Sequence, residues 1–217
     1  GNPEQRQFGR WYFHQIKTKT GFAFRGGSYK GVDLTLGDGK NSISVLIRSI
    51  ECVKTGERVE GPSLVVDRIL TEQKISSLRN LNKGFSLQVL RDSSCPRRPI
   101  YTGPRVGLAP SRVNEDPTLS YLFYPARFVT EAYRVRKGRV LLFLHQVLLQ
   151  GFDQALKCMS MTPRQGMKYL EAFQRGQGKK RNQCQYTNSP LPLCELFGCY
   201  VGSIERDGSN LLLGKPE

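Results

Sequence analysis

The pattern of residues predicts an α+β protein in which a β-rich body is followed by a basic helical extension. Apolar and polar residues alternate over short runs in the N-terminal half, which is typical of strands. From Tyr133 onward the apolar residues recur at helical spacing. Between Tyr133 and Arg181 there are 11 Lys and Arg residues against two acids. We therefore place a boundary near residue 135, with a mixed α/β body over 1–135 and a basic helical extension and tail over 136–217.

The first strands are predicted by alternation around aromatic residues and around a glycine turn. Trp11 and Phe13 alternate with smaller or polar neighbours, as in a strand. Residues 31–51 alternate on both sides of the Gly37-Asp38-Gly39 turn, the pattern of a β-hairpin. The second half of this hairpin leads directly into Arg48. A guanidinium beside so much β-branched surface is either hydrogen-bonded, or faces a pocket, or extends from the strand edge to water.

Helical and extended signals then alternate up to about residue 130. Ser63 is a suitable N-cap for a helix over 64–70, since apolar residues follow at helical spacing. A second short helix is expected over 75–81. Three further segments are expected to be extended, namely 85–90, 103–108 and 121–129.

The C-terminal third is expected to be helical with basic connections. Periodicity predicts a helix over 140–158. The Thr162-Pro163 pair supplies an N-cap and a first-turn proline for another helix, which runs to about Phe173. Residues 175–181 are expected to form a flexible basic segment. Residues 182–217 are expected to contain turns and short apolar runs.

The charge balance favours a polyanionic partner. Lys and Arg number 33 against 18 Asp and Glu, which gives a net charge of +15 and an isoelectric point of about 9.8. Nucleic acid, RNA or DNA, fits this charge better than an anionic membrane surface or an acidic protein. The longest apolar run, residues 140–149, is shorter than the roughly 18 residues of a membrane span and contains a histidine and a glutamine. We therefore expect no membrane partner.

The remaining compositional features argue against a metal or a cofactor. Six cysteines and two histidines form no CxxC pair and match no zinc spacing, so we expect no metal site and free thiols in a reducing compartment. The glycine- and lysine-containing loop over 24–30 lacks the Gly-Lys-Ser/Thr of a P-loop, although its backbone amides could approach an anion. The first ten residues lack the apolar stretch of a secretory signal. An intracellular location, mitochondrial or nuclear, is expected.

Four short motifs occur in a recognisable order. They are VLIRSIE (45–51), GPS (61–63), PRVGL (104–108) and PARF (125–128). This order, together with the preceding GDG turn, resembles the C-terminal half of the alkyladenine (3-methyladenine) DNA glycosylase family over about residues 31–132. The resemblance implies a curved antiparallel sheet or partial barrel with short helices. It also implies binding of duplex DNA on a basic face and flipping of a damaged base into a pocket.

The resemblance assigns site residues but leaves the catalytic glutamate missing. Arg48 matches the pocket arginine, and Asp33 falls near the residue that screens the flipped purine. The family's glutamate lies in a Thr-Glu-Ala-Tyr segment upstream, where this chain has only Glu4 before Asp33. The same four letters at 130–133 lie downstream, which indicates coincidence rather than a circular permutation. Asp33 either activates water beside the pocket arginine, or lies in a turn, or pairs with Arg48.

Two classes of function follow, with a protein–protein scaffold as a third. The first is a nucleic-acid-binding protein that has lost base excision, for example a subunit of a ribonucleoprotein such as a ribosome-associated protein. The alternative is an active glycosylase-like base-excision repair enzyme that uses Asp33 and Arg48. The aromatic stretches 11–13 and 121–124 either stack on bases or belong to the core. Contacts to nucleic acid are expected from fourteen residues: Arg25, Tyr29, Lys30, Arg97, Arg98, Arg105, Arg127, Arg134, Arg136, Lys137, Arg139, Lys179, Lys180 and Arg181.

Overall fold

The protein forms two compact units with small antiparallel sheets in the first and most of the helices in the second. A computed structural model describes residues 3–81, 87–90, 97–112 and 116–206. The units are Gly1–Asp92 and Ser93–Glu217, so the predicted boundary near residue 135 lies inside the second unit. The mixed α and β content confirms the predicted class. In the described residues the sheets do not close into a barrel.

The first unit contains three small sheets. Their strands, within the described part of the unit, are β1 (Phe8–Phe13), β2 (Gln15–Thr18), β3 (Gly21–Phe24), β4 (Val32–Leu36), β5 (Ser44–Leu46), β6 (Ser49–Glu51) and β7 (Arg58–Glu60). The sheets have the orders β1-β4-β5, β2-β3 and β6-β7, and all pairs are antiparallel.

The predicted hairpin at the glycine turn is confirmed, with a correction at its end. β4 pairs with β5, and Asp38 closes the turn by accepting hydrogen bonds from the backbone amides of Lys40 and Asn41. These bonds, first among them those from Asn41, lower the pKa of Asp38 to about 2. β5 ends at Leu46, so Arg48 lies in the short link before β6 rather than within a strand.

The core of the first unit lies under helix α1 (Pro62–Glu72). Val65, Val66 and Leu70 on this helix are buried together with Phe13 and Val32. The apolar spacing predicted this helix, and its apolar residues at i, i+1 and i+5 fall on one buried face.

Two details of this region were predicted wrongly. Gly61, not Ser63, is the N-cap of α1, and the hydroxyl of Ser63 instead donates to the Gly27 carbonyl at 2.9 Å. The expected helix over 75–81 is only a 3-10 turn at Leu78–Asn80. Of the expected strand over 85–90, residues 85 and 86 lie outside the described residues, and 87–90 form no strand.

The second unit is mainly helical. Its described elements are β8 (Tyr101–Gly103), α2 (Asp116–Phe123), β9 (Arg127–Val129), α3 (Arg139–Gln150), α4 (Phe152–Met159), α5 (Pro163–Gln177) and α6 (Pro190–Arg206). β8 and β9 pair antiparallel. The core cluster draws on all five helices and contains Phe123, Phe143 and Phe197, which are fully buried.

Both extended segments predicted in this unit need correction. The strand expected over 103–108 ends at Gly103, where Pro104 follows and cannot donate a ladder hydrogen bond. Residues 116–123 are helical, although 121–129 was expected to be extended throughout. Leu119, Leu122 and Phe123 stand at helical spacing and are buried, so tertiary packing prevails over the strand propensity of the aromatic residues.

The helical predictions are confirmed in part. The helix expected over 140–158 is divided at Gly151, whose φ of +86° is unsuited to a continuous helix. Helix α5 begins as predicted, with a capping box between Thr162 and Gln165, and extends to Gln177. The segment expected to be flexible therefore begins inside a helix. The tail expected to form turns contains helix α6 over 190–206, and its residues 207–217 lie outside the described residues.

Candidate nucleic-acid interface

The β2–β3 hairpin is exposed on both of its faces. Lys17 lies directly opposite Phe22, and Ile16 lies opposite Ala23. Directly opposed residues share a face of a two-stranded sheet, so Lys17 and Phe22 are together on one face and Ile16 is on the other. The side chains of Phe22 and Ile16 are 55% and 51% exposed. Two large apolar side chains thus stand in solvent on a hairpin of only four residues per strand.

The hairpin lies in a stretch of chain that contains cations but no acids. We call residues 5–32 the N-terminal basic segment; it contains six cations, namely Arg6, Arg10, Lys17, Lys19, Arg25 and Lys30. All of these side chains are exposed except Lys30, which is half-buried. Phe8 and Tyr29 in the same segment are 75% and 73% exposed. Positive charge interleaved with exposed aromatic rings is the pattern of nucleic-acid-binding surfaces.

The loop that precedes β4 is fixed by contacts at both ends. The Arg25 amide donates to the His14 carbonyl at 2.8 Å, and its guanidinium Nε donates to the Gln15 carbonyl at 3.3 Å. Lys30 forms an ion pair with Asp67 on α1. Three residues of this loop were predicted to contact nucleic acid. Arg25 and Tyr29 are exposed, whereas the charge of Lys30 is balanced by the Asp67 carboxylate.

Asp33 is a buried member of a three-residue hydrogen-bonded cluster. Asp33 lies within β4 and is 5% exposed. Its Oδ1 is 2.8 Å from His14 Nε2, and its Oδ2 accepts a hydrogen bond from the Ser44 hydroxyl at 2.7 Å. Asp33 is therefore not in a turn, and each of its oxygens has a partner. A buried carboxylate needs such partners because an unpaired one would be costly.

His14 is the member of this cluster that reaches solvent. Its side chain is 28% exposed. If Nε2 donates to Asp33, the neutral ring has its acceptor at Nδ1. Gly31 lies against the ring, since a Cβ at that position would be 2.7 Å from it. Sequence reasoning overlooked His14; its one signal was a histidine at the end of an alternating aromatic strand.

Arg48 is half-buried in the link between β5 and β6. Its carbonyl accepts a hydrogen bond from the Gly61 amide at the start of α1, at 2.8 Å. The β4–β5 register places Leu46, two residues earlier, opposite Asp33. The two residues assigned by the glycosylase resemblance thus lie in one unit and on neighbouring segments.

Several predicted cations of the second unit bind groups of the protein itself. Arg98 and Arg134 contact Glu131 at 3.0 and 3.1 Å. Burial acts to raise the pKa of Glu131, but Arg134 and Arg98 lower it below its ordinary value. The glutamate of the downstream Thr-Glu-Ala-Tyr letters is therefore the centre of an ion-pair cluster. Lys179 bonds Glu195 at 2.6 Å in the same way, and this bond lowers the pKa of Glu195.

Two further arginines donate hydrogen bonds to backbone carbonyls. Arg127 is 8% exposed, and its Nη1 donates to the Lys137 carbonyl at 2.6 Å. Arg139 donates to the carbonyls of Tyr133, Val135 and Met159. The last of these is at the C-terminus of α4, where carbonyls lack helical partners and a cation is favourable. The surface positions among the predicted contacts of this unit are Arg97, Arg105, Arg136, Lys137 and Lys180, with Arg181 half-buried.

The aromatic stretches differ in exposure. Tyr12 and Phe13 are buried, and Trp11 is half-buried with its Nε1 donating to the Leu87 carbonyl at 2.7 Å. The stretch 11–13 therefore belongs to the core rather than to a surface that stacks on bases. Tyr121 and Tyr124 are 62% and 54% exposed. The exposed ring of Phe22 was overlooked, because Thr-Lys-Thr-Gly-Phe has too few apolar residues to signal a hairpin.

The cysteines of the described residues are free thiols. Burial raises the pKa of both Cys184 and Cys194 to about 12, so these thiols are neutral. Within the described ranges, His, Cys, Asp and Glu form no group of three that could hold a metal ion. No helix among the described residues has both the length and the apolar character to cross a membrane.

Comparison with known proteins yields one relative. The chain is 29% identical over 163 residues to an uncharacterized protein, L759, of Acanthamoeba polyphaga mimivirus. The alignment covers 65% of this chain and 71% of the viral protein. No family model and no solved structure matches the chain.

Proposed function

We propose that this chain is a nucleic-acid-binding protein whose N-terminal basic segment contacts the phosphate backbone. The observation that carries the proposal is the run of six cations without an acid over residues 5–32, five of them exposed, in a segment that also presents exposed aromatic rings. Each cation that contacts a phosphate releases condensed counterions from the nucleic acid, and this release increases the binding affinity. Nothing in this arrangement selects RNA over DNA.

The second unit supports the same proposal through its charge. It contains 18 Lys and Arg residues against nine acids. Although Glu131 and Glu195 neutralise some of these cations, exposed ones remain between Arg97 and Lys180. Binding to structured RNA as part of a ribonucleoprotein is one setting in which both units would contribute contacts.

Descent from a glycosylase-like ancestor with loss of base excision is part of the proposal. The order of the four motifs supports the relationship, and the small antiparallel sheets around α1 are compatible with it. The state of Asp33 supports the loss of activity, because a water-activating carboxylate must reach water, whereas Asp33 is buried and each of its oxygens has a hydrogen-bond partner.

A charge-reversal variant tests the proposal. Replacing Lys17, Lys19 and Arg25 together by Glu should weaken binding of a labelled oligonucleotide by at least about tenfold at physiological salt, because phosphate contacts dominate affinity. Fluorescence anisotropy measures the affinity. The matched control replaces Lys40, Lys54 and Lys74 by Glu. These lysines are exposed in the same unit but lie outside the N-terminal basic segment. Equal losses in the two variants would show that only total charge matters and would contradict the proposal.

A second candidate, base excision by an active enzyme, is favoured by the His14–Asp33 pair. A histidine held by a buried carboxylate is a suitable general base for activating water. Water would attack the sugar C1′, and the bond electrons would leave with the base. Release of a base from alkylated DNA by the wild type, with loss of that release in Asp33→Asn and in His14→Gln, would establish this activity. No release would leave binding as the function.

A further inference from the structure

We propose that the β2–β3 hairpin is a binding site for single-stranded nucleic acid, in which Phe22 stacks on an unpaired base while Lys17 contacts the adjacent phosphate. This inference rests on the proposed function and specifies its ligand. The cross-strand register places Lys17 and Phe22 directly opposite each other on one face. A cation beside a ring is what a nucleotide requires, since each nucleotide has one phosphate and one flat base.

The exposure of Phe22 argues for a ligand. Phe24, two residues along the same face, packs against the core of the first unit, whereas Phe22 is 55% exposed farther out on the hairpin. The ring of Phe22 therefore does not serve the core. Leaving such a side chain in water forgoes a burial energy of about 1.5–3 kcal/mol, which a stacked base would largely recover.

The charge of the surroundings identifies the occupant as a polyanion. Lys19 is at the tip of the hairpin and Arg25 is at its base, where its guanidinium bonds the Gln15 carbonyl. No acid occurs between Gln5 and Val32. An apolar protein surface would gain nothing from these cations, whereas a nucleic-acid strand would use both the cations and the ring.

The chemistry favours a single strand over a duplex. In a duplex the faces of the bases are already stacked on one another, and opening a step costs a few kcal/mol. An unpaired base offers its face directly, and any base can stack, so binding should be tolerant of sequence. The hairpin is also anchored at its base, because the His14 carbonyl accepts from the Arg25 amide and the His14 amide donates to the Gly31 carbonyl.

The test compares one labelled oligonucleotide of about 15 nucleotides, within the site sizes of single-strand-binding modules, as a single strand and annealed to its complement. The full chain should bind the single strand more tightly at equal salt. Phe22→Ala should weaken single-strand binding by about 5- to 100-fold, which corresponds to the loss of one stacked base. Phe22→Trp should retain the affinity.

The controls separate stacking from charge. Ile16→Ala removes an exposed apolar side chain from the other face and should leave affinity within about twofold. Phe22→Ala should keep the salt dependence of wild type, whereas Lys17→Ala should reduce the slope of log affinity against log salt by about 0.7. Tighter binding of the duplex, or equal losses in Phe22→Ala and Ile16→Ala, would overturn the inference while leaving the proposed function intact. Absence of any salt-dependent binding would overturn both.

Discussion

At the scale of single residues, Asp33 is a buried polar group whose two carboxylate oxygens both have hydrogen-bond partners. Its carboxylate joins His14, which follows β1, to Ser44, which begins β5. β1 and β5 are the two neighbours of β4 in the sheet. Hydrogen bonds to a buried charged group contribute more than neutral ones, and removing one partner leaves the other unsatisfied. The cluster therefore has a structural role whether or not His14 has a chemical one.

Substitutions in this cluster should reduce stability in a graded way. Asp33→Asn should lower the free energy of unfolding by about 1–3 kcal/mol, since it removes the charge from two hydrogen bonds. Ser44→Ala should cost about 1 kcal/mol. Ser42→Ala is the matched control, because Ser42 is exposed in the same hairpin, and should change stability by less than about 0.5 kcal/mol. Urea denaturation measures all three; an unaffected Asp33→Asn protein would contradict the assigned role.

At the scale of elements, helices α5 and α6 pack through glycines. A Cβ on Gly198 would be 1.9 Å from the Phe173 carbonyl oxygen, and a Cβ on Gly176 would be 2.0 Å from that of Glu195. These distances are far below van der Waals contact, so each backbone fits against the other only where a side chain is missing. An ion pair from Glu195 to Arg175 crosses the same helix pair, and Lys179, just after α5, also pairs with Glu195.

A comparison of two glycine substitutions tests this packing. Gly198→Ala should destabilise the protein by about 3 kcal/mol or more, because the opposing atoms are backbone and the helices must separate. Gly178→Ala is the control; the nearest atom to its Cβ would be 4.0 Å away and its φ is −83°, so it should be neutral or stabilise by up to about 1 kcal/mol. Thermal unfolding followed by circular dichroism would distinguish them. Similar melting temperatures would contradict close glycine packing.

The same helices show why some elements were predictable and others were not. α5 has local signals, since Thr162, Pro163 and Gln165 specify its start. α6 was missed because Gly198 and Gly202 interrupt its apolar pattern, and the need for those glycines arises only from contact with α5. Arg48 was singled out by alternation and motif order, and Asp33 by the glycosylase resemblance alone. The partners of Asp33 were not singled out, since His14 and Ser44 are 19 and 11 residues away along the chain.

At the scale of the whole molecule, positive charge is present in both units but is used differently. In the second unit, Glu131, Glu195 and backbone carbonyls engage many of the predicted cations. In the N-terminal basic segment the cations are mostly exposed and are accompanied by exposed rings. Half of the contact residues expected from the sequence lie after Tyr133, whereas we propose residues 5–32 as the principal interface because most of their cations are exposed.

Photo-crosslinking of a bound oligonucleotide to the full chain, followed by mass spectrometry of the adducts, tests this assignment most directly. The measurement locates contacts on the chain without a substitution that could disturb folding. We predict that adducts concentrate on peptides from residues 5–32, with Phe22 and Tyr29 among the modified residues, and that they decline as salt increases. Adducts confined to the second unit, or adducts insensitive to salt, would contradict the proposal that the N-terminal basic segment is the principal nucleic-acid interface.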